Sequence, residues 1–317
     1  MSRVLVTGAS GFVGRAAVAA LRRRGFEVHA VARTPVAELE ADAWHEADLL
    51  DPVAAGPLVR AAGASHLLHL AWTTEHGAFW SDPANLEWSR ATVGLFQAFA
   101  AERGARAVLA GSCAQYDWSP EALGSSGVAD ESESARRPAT LYGTAKQETA
   151  ERLEAWAFSR RLSYATALLF FPYGPFDDAG RLVPSLTRDL VAGRTATVRT
   201  GDEVRDFVHV DDCGAALAAL VDSRVTGSVN IGTGHGSSVA EVAGHVARIL
   251  GGEELLRIDP QGETASTVIA SVERLRDQVG FSARYDLESG LRQTVDWLLS
   301  EGGAGSRPAR PSAEASR

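Results

Sequence analysis

Lysine is almost absent from this chain. Of its 31 basic residues one is lysine, Lys146, which leaves 30 arginines. On a solvated surface the two cations interchange. In a site they do not, because an ammonium is a compact charge whose pKa can move, whereas a guanidinium is planar and permanently charged. A lone lysine in such a background marks a position that arginine would not serve. Cysteine is nearly as scarce. Cys113 and Cys213 are too few for a disulfide framework, and Cys113, with no histidine beside it in sequence, reads as packing rather than as a nucleophile. No apolar run approaches the roughly 18 residues of a membrane span, and no charged leader with an apolar core precedes the first strand pattern. A cytoplasmic location is expected. Positive charge is in deficit too: the net charge of −9 argues against a nucleic-acid or anionic-membrane surface and leaves room for a phosphorylated small molecule in a local basic pocket. His66, His69 and His209 lack metal-ligand spacing and read as structural, so no metal is expected. What remains, 45% hydrophobic and 22% charged over 317 residues, suits one large or two smaller globular domains.

Lys146 closes the stretch Tyr142-Gly143-Thr144-Ala145-Lys146, and on a helix positions i and i+4 share a face. An ammonium beside a phenol favours the phenolate and draws the tyrosine pKa down from about 10 toward working pH. Such a pair gives a proton to a carbonyl oxygen or takes one from an alcohol. The same spacing arises by chance on surface helices. The singular lysine tips the reading toward a site.

Upstream, residues 3–7 are a short β-branched run that reads as a buried strand. They lead into Gly8-Ala9-Ser10-Gly11-Phe12-Val13-Gly14 and then a helical stretch to residue 24. Arg22 to Arg24 lie in its last turn and Gly25 just beyond, where a helix C-terminus favours cations and glycine. Glycines at 8, 11 and 14 allow a tight turn and close approach of a pyrophosphate to the helix N-terminus, in the spacing G-x-x-G-x-x-G. Residues 26–32 read as the second strand, ending at Arg33. An acid there holds a ribose 2′-hydroxyl and an arginine accommodates a 2′-phosphate; a merely solvated arginine is the equal alternative. Asp48-Leu49 follows, where a carboxylate can meet an adenine amino group. Strands are expected over 66–70 and 107–110, with a helix over 84–104 between them. The second of these strands runs into Gly111-Ser112-Cys113-Ala114-Gln115-Tyr116. Residues 117–138 form a long polar loop, a feature usually functional in a compact domain. A helix to about 160 and a strand over 164–170 come next. Strands alternating with helices predict an α/β fold with a parallel, doubly wound sheet.

From Pro172 the texture changes. A turn at Tyr173-Gly174-Pro175 precedes a helix over 182–192, and 205–212 reads as a charged strand opening another helix. A strand and turn over 229–234 are followed by a helix capped by Ser237 and running to about 250. Residues 301–317, mostly Gly, Ser, Pro, Ala and Arg, read as a disordered tail. There are no internal repeats.

Together these stretches resemble the extended short-chain dehydrogenase/reductases that act on nucleotide sugars, over about residues 3–298. Thr7 to Gly14 is similar to the family's cofactor loop, Asp48-Leu49 to its adenine contact, and His69-Leu70-Ala71-Trp72 to its fourth-strand motif, with Trp72 in place of an alanine. Ser112, Tyr142 and Lys146 match its catalytic serine, tyrosine and lysine, and Arg205-Asp206-Phe207 its diphosphate-gripping segment, where a bidentate guanidinium is suited. Five further positions depart from the pattern. Leu168 and Phe171 replace an arginine and an asparagine, Trp88 replaces a helix asparagine, and Cys113-Ala114 stand where 4,6-dehydratases carry an Asp-Glu pair. Dehydration is therefore not expected.

The resemblance implies a Rossmann doubly wound parallel sheet over 1–170, with return segments from about 205–235, and a smaller C-terminal, mainly substrate-binding domain over 171–300. It places cofactor contacts at Gly8, Ser10, Gly11, Phe12, Val13, Gly14, Arg33, Asp48, Leu49, Leu70, Ala71, Tyr142 and Lys146. Substrate contacts fall at Trp72, Ser112, Cys113, Tyr142, Phe171, Arg181 and Arg205. The implied activity is NADPH-dependent reduction of the C4 ketone of a nucleotide-diphosphate 4-keto-6-deoxyhexose, with NAD(H) the other cofactor possible. Tyr142 is the proton donor, Lys146 lowers its pKa and Ser112 bonds the developing alkoxide. A homodimer through the two long helices beginning near residues 85 and 140 is implied as well. The rival activities are a nucleotide-sugar 4-epimerase with retained NAD, a non-sugar carbonyl reductase, and a dinucleotide-binding regulator without chemistry. Arg33 weighs against the epimerase, the Arg205 segment against the non-sugar reductase, and the Ser/Tyr/Lys register against the regulator.

Overall fold

The computed structural model describes residues 2–259 and 265–301; apart from Glu301, the expected tail lies outside the described residues. In chain order the first half comprises β1 (Arg3–Thr7), α1 (Phe12–Arg23), β2 (Glu27–Ala32), β3 (Ala43–Glu46), α2 (Ala55–Ala62), β4 (His66–His69), α3 (Ala84–Ala101) and β5 (Arg106–Ser112). Then come α4 (Pro120–Leu123), β6 (Val128–Ala129), α5 (Leu141–Arg160), β7 (Ser163–Leu169), β8 (Phe171–Tyr173), α6 (Leu182–Val191) and β9 (Ala196–Val198). The chain continues through β10 (Val204–Arg205), β11 (Phe207–His209), α7 (Val210–Asp222), β12 (Gly227–Ile231) and β13 (Ser237–Ser238). It closes with α8 (Val239–Leu250), β14 (Leu256–Ile258), β15 (Thr267–Ala270) and α9 (Leu287–Glu301).

Seven strands form one sheet in the order β12-β7-β5-β4-β1-β2-β3, and every pairing in it is parallel. Both faces are covered, which is why these strands read as unbroken apolar runs rather than as alternating ones. Period two still sorts the side chains. Val4 and Val6 pack beneath α1 and α7, while Leu5 points to the opposite core with Phe96 and Phe99 of α3 and Leu153 of α5. The strand order reverses between β1 and β4, and an α/β sheet opens its ligand crevice at such a point, beyond the carboxyl ends of the strands.

The C-terminal part builds smaller units. A four-stranded sheet runs β13-β10-β15-β6, and β8 pairs with β11 and β9 with β14. A separate apolar core gathers Leu186 and Leu190 of α6, Val242 and Val246 of α8, and Leu291 and Val295 of α9. The strand expected over 205–212 is in fact broken at Asp206: β10 belongs to one sheet and β11 to another. Asp206 is buried at the break, and its carboxylate accepts from the backbone of Thr233, Gly234 and Ala270 and from the Thr233 hydroxyl. The cap of α8 is Ser238, not Ser237, because its hydroxyl accepts from Glu241 N while the Glu241 carboxylate accepts from Ser238 N. The stretch 117–138 is not loop throughout, since it carries α4 and β6, the latter pairing with β15.

Candidate active site

The glycine loop follows β1 at the reversal point. Gly8 has φ +67°, and a Cβ there would lie 2.7 Å from Ala71 N, so only glycine lets the loop after β1 rest on the segment after β4. A Cβ on Gly14 would be driven into the Gly8 carbonyl oxygen. α1 starts beneath an N-cap glycine, Gly11, and has no side-chain cap. The first N–H groups of the helix, at Phe12 and Val13 beside the half-exposed Ser10, donate to no side-chain cap among the described residues and suit an anionic group. Arg33 at the end of β2 is exposed and makes no ion pair among the described residues. Asp48, past the end of β3, is exposed and spends one carboxylate oxygen on Leu50 N, while Leu49 packs inward. Leu70 and Ala71 are tied to β1 through Thr7, at 3.2 and 3.4 Å. A close-approach cradle, an uncapped helix start and a cation at the β2 end suit the pyrophosphate and adenosine half of a nicotinamide dinucleotide.

On the other side of the crevice β5 ends in Ser112, and α5 begins at Leu141 with Thr140 as its cap. Tyr142 and Lys146 fall on the face of α5 turned to β5. Lys146 is buried; its ammonium donates to Ala110 O at 2.7 Å and lies 4.0 Å from the centre of the Trp72 ring. Burial lowers its pKa to about 7. Tyr142 is buried too, and burial pushes its phenol up to about 12, with a hydrogen bond to Ser112 and the charge of Arg181 pulling the other way. This corrects the expectation that Lys146 draws the phenol down. The ammonium sits 5.9 Å from the phenol ring centre and is turned to Ala110 and Trp72. Desolvation of Tyr142 outweighs every charge near it.

Trp72, expected as a substrate contact, is buried, with its indole N–H fixed on Asn85 Oδ1 at 2.8 Å. It works as a platform for Lys146. Cys113 is buried and its thiol is pushed to about 12 by burial, so no thiolate is on hand. Arg205 is also buried: it pairs with Glu203 at 3.0 Å, donates to the carbonyls of Val204 and Ser266, and stacks against Trp118 and Phe171. Most of its donors are engaged within the protein, a different setting from that of a free diphosphate clamp. Phe171 is half-buried in this aromatic group. Arg181 caps α6 with its backbone and lies 3.5 Å from Asp177. His69 is held neutral between Thr7 and Thr92, its pKa depressed by burial to about 3. Among the described residues no group of three or more His, Cys, Asp or Glu could hold a metal, and no helix is long and apolar enough to cross a membrane.

Sequence reasoning missed Phe79 and Trp80, whose rings meet Tyr142 edge-on at 4.9 and 5.8 Å. Two adjacent aromatics in a polar stretch were the available signal. It missed Asn85 as well, which holds Trp72 and bonds the carbonyls of Phe79 and Asp82.

Comparison with known proteins agrees with this geometry. The family model described as the NAD dependent epimerase/dehydratase family matches residues 4–232. An ADP-L-glycero-D-manno-heptose-6-epimerase of Nitratidesulfovibrio vulgaris is 29% identical over 93% of this chain and 98% of its own length. A dTDP-4-dehydro-6-deoxy-D-allose reductase of a Streptomyces species is 30% identical over 39% of this chain and 40% of its own. Among solved structures, a Thermus thermophilus UDP-glucose 4-epimerase in complex with NAD superposes with a TM-score of 0.83 at 25% identity, covering 94% of this chain and 99% of that one.

Proposed function

The chain belongs to the NAD dependent epimerase/dehydratase family, and from that premise we propose that it is an NADPH-dependent reductase of the C4 ketone of a nucleotide-activated 4-keto-6-deoxyhexose. The observation that carries the choice of cofactor is Arg33, an exposed guanidinium at the carboxyl end of β2 with no ion-pair partner among the described residues. It stands where a ribose 2′-phosphate is met. When bound, the dinucleotide supplies hydride to the ketone carbon. The protein's own groups handle the oxygen. Burial keeps the Tyr142 phenol protonated at working pH, the state a proton donor needs. Ser112 shares a hydrogen bond with that phenol and holds the ketone oxygen beside it. The Lys146 ammonium, 2.7 Å from Ala110 O and 4.0 Å from the Trp72 ring centre, sits on the same helix face and would hold the ribose of a bound dinucleotide rather than act on the phenol. Cys113, with its thiol pushed up to about 12, and Ala114, with no polar side chain, provide no acid–base pair for dehydration. Pairing of two copies through α3 and α5 belongs to the same proposal.

A second reading, nucleotide-sugar 4-epimerisation with retained NAD, is favoured by one observation: the full-length matches named above are epimerases, one of them in complex with NAD. The fate of the cofactor separates the two. Purified protein given NADPH and dTDP-4-keto-6-deoxyglucose, or its 3-epimerised ketone, consumes NADPH in step with a 6-deoxyhexose product if it is the reductase. Protein that purifies with NAD and interconverts hydroxyl epimers without added cofactor is the epimerase. Arg33→Asp then tests the cofactor assignment, because a charge-assisted bond of about 1.5–3 kcal/mol predicts a loss of about 10- to 100-fold in the NADPH over NADH preference. A wild type that prefers NADH overturns the role given to Arg33.

A further inference from the structure

Beneath the Ser112–Tyr142 pair a polar chain runs from the Ser112 backbone through the buried Gln115 and Gln147 to the exposed Glu151, and none of those three side chains hydrogen-bonds the Ser112 hydroxyl or the Tyr142 phenol among the described residues. Ser112 N donates to Gln115 Oε1 at 3.0 Å, Gln115 Nε2 donates to Gln147 Oε1 at 2.8 Å, and Gln147 Nε2 donates to Glu151 Oε1 at 2.6 Å. Gln115 is fully buried and Gln147 is 6% exposed. We propose that Gln115 and Gln147 are positioning residues, a strut from α5 to the end of β5 that fixes where the Ser112 hydroxyl stands relative to the Tyr142 phenol. The proposal rests on the catalytic reading of Ser112 and Tyr142.

The chemistry of the chain's two ends sets its direction. A backbone N–H can only donate and an ionised carboxylate can only accept, so both amides between them are held in one orientation. Gln147 must turn its NH₂ to Glu151 and its oxygen to Gln115. Gln115 must then turn its NH₂ to Gln147 and its oxygen to Ser112 N. With its backbone N–H anchored, Ser112 points its hydroxyl at Ala114 N, from which it accepts at 3.2 Å. That bond leaves the hydroxyl proton free for the phenol or for a substrate oxygen. Gly111 is part of the device, since a Cβ there would lie 2.5 Å from Gln115 Oε1. The neighbouring residue on α5, Lys146, makes the second cross-link to β5 at Ala110 O. Ser112 is thus bracketed, with Ala110 tied to α5 from one side and Gln115 from the other. An end-of-strand serine becomes rigid toward the helix that carries the phenol.

The test uses Gln147→Leu, Gln115→Leu and the double leucine variant, each assayed for turnover and for hydrogen exchange at the Ser112 amide. In Gln147→Leu the Gln115 amide loses its partner and the orientation imposed on it. A misplacement of about 1 Å at a reacting group costs about 100-fold, so kcat is expected to fall about 10- to 100-fold with KM nearly unchanged. The double variant leaves no orphaned side-chain amide, only the Ser112 N–H without its acceptor, and is expected to recover part of the stability lost in Gln147→Leu, yet keeps the kcat defect and the fast Ser112 exchange. If kcat returns along with stability in the double variant, the pair is core packing and the proposal falls. It falls too if Gln147→Leu keeps the wild-type kcat and Ser112 exchange. Tyr142→Phe serves as the separate control: full turnover there overturns the catalytic reading, whereas the amide-exchange result judges the strut without any substrate.

Discussion

At the scale of the residue, Lys146 is the most constrained group in the site. Its ammonium has one backbone acceptor, an indole face at 4.0 Å and almost no solvent. Burial alone takes its pKa to about 7. Arginine offers the same charge in a larger planar form that cannot sit under the Trp72 ring and reach Ala110 O from one point. Lys146→Arg is therefore expected to lose nearly as much activity as Lys146→Met, about 100-fold or more for a displaced reacting group, and a near-normal kcat in Lys146→Arg would refute this. The charge is present below about pH 7 and absent above it. In free enzyme kcat/KM is accordingly expected to decline as pH rises through about 7, while the kcat limb lies higher because a bound anionic dinucleotide favours the ammonium. This residue was legible before any fold was known, because composition singled it out. Gln115 and Gln147 were not. A glutamine carries no periodic or charge signal, and its role here exists only through a partner 32 residues away. The pKa of Tyr142 was misread for a related reason: spacing shows which charges are near, whereas desolvation depends on everything packed around the phenol, Phe79 and Trp80 included.

At the scale of the element, the glycine loop makes a graded prediction. A Cβ at Gly14 meets the Gly8 carbonyl head-on, with Ala9 O behind it at 2.8 Å, whereas a Cβ at Gly11 finds only Gly8 O at 3.1 Å. Gly14→Ala forces the helix start away from the loop and is expected to cost about 1–3 kcal/mol, the usual range for overpacking, with a lowered Tm. Gly11→Ala is expected to hold Tm within about 2 °C, since its neighbour needs to yield only slightly. It should still weaken binding of a nicotinamide dinucleotide, measured by titration of the purified protein, because the exposed loop tip is where a pyrophosphate approaches. Equal Tm losses in the two variants would contradict the close-approach geometry. The long elements were readable because period and punctuation act locally: β1, α1, α3, α5 and β7 fall within three residues of their expected ends. β6, β10 and β13 are two residues each. Such strands have no pattern of their own and are defined by whichever backbone lies opposite. For the same reason the break at Asp206 was invisible. It is set by four donors arriving from Thr233, Gly234 and Ala270.

At the scale of the whole molecule, two buried groups make stability depend on pH in opposite directions. Asp177 lies in the loop before α6 with its side chain 4% exposed, and burial raises its pKa from 3.8 to about 7 even though Arg181 stands 3.5 Å away. A carboxyl whose folded pKa is raised contributes stability that is complete below pH 3.8 and is lost as pH climbs to about 7, because the folded state holds the proton longer than the unfolded one. Lys146 has the opposite sign. Its folded pKa of about 7 lies below the ordinary 10.5, so its contribution is complete above pH 10.5 and is lost as pH falls to about 7. His69 opposes the first of the two: its folded pKa of about 3 lies below the usual 6.5, so stability is lost as pH falls from 6.5 toward 3, which offsets the Asp177 wall on the acid side. Each contribution, with a ceiling of about 4–5 kcal/mol and less once the site relaxes, is therefore read as a difference between wild type and variant rather than in the wild-type curve alone. Chemical denaturation of wild type, Asp177→Asn and Lys146→Met across pH 4–10 reads the effect directly. Asp177→Asn should flatten the difference from wild type on the acid side only, and Lys146→Met on the alkaline side only. The sharpest reading comes at pH 7, where both variants are expected to be more stable than the wild type. If neither variant gains over wild type at pH 7, or both change the same limb, then neither group is as desolvated in solution as its packing requires.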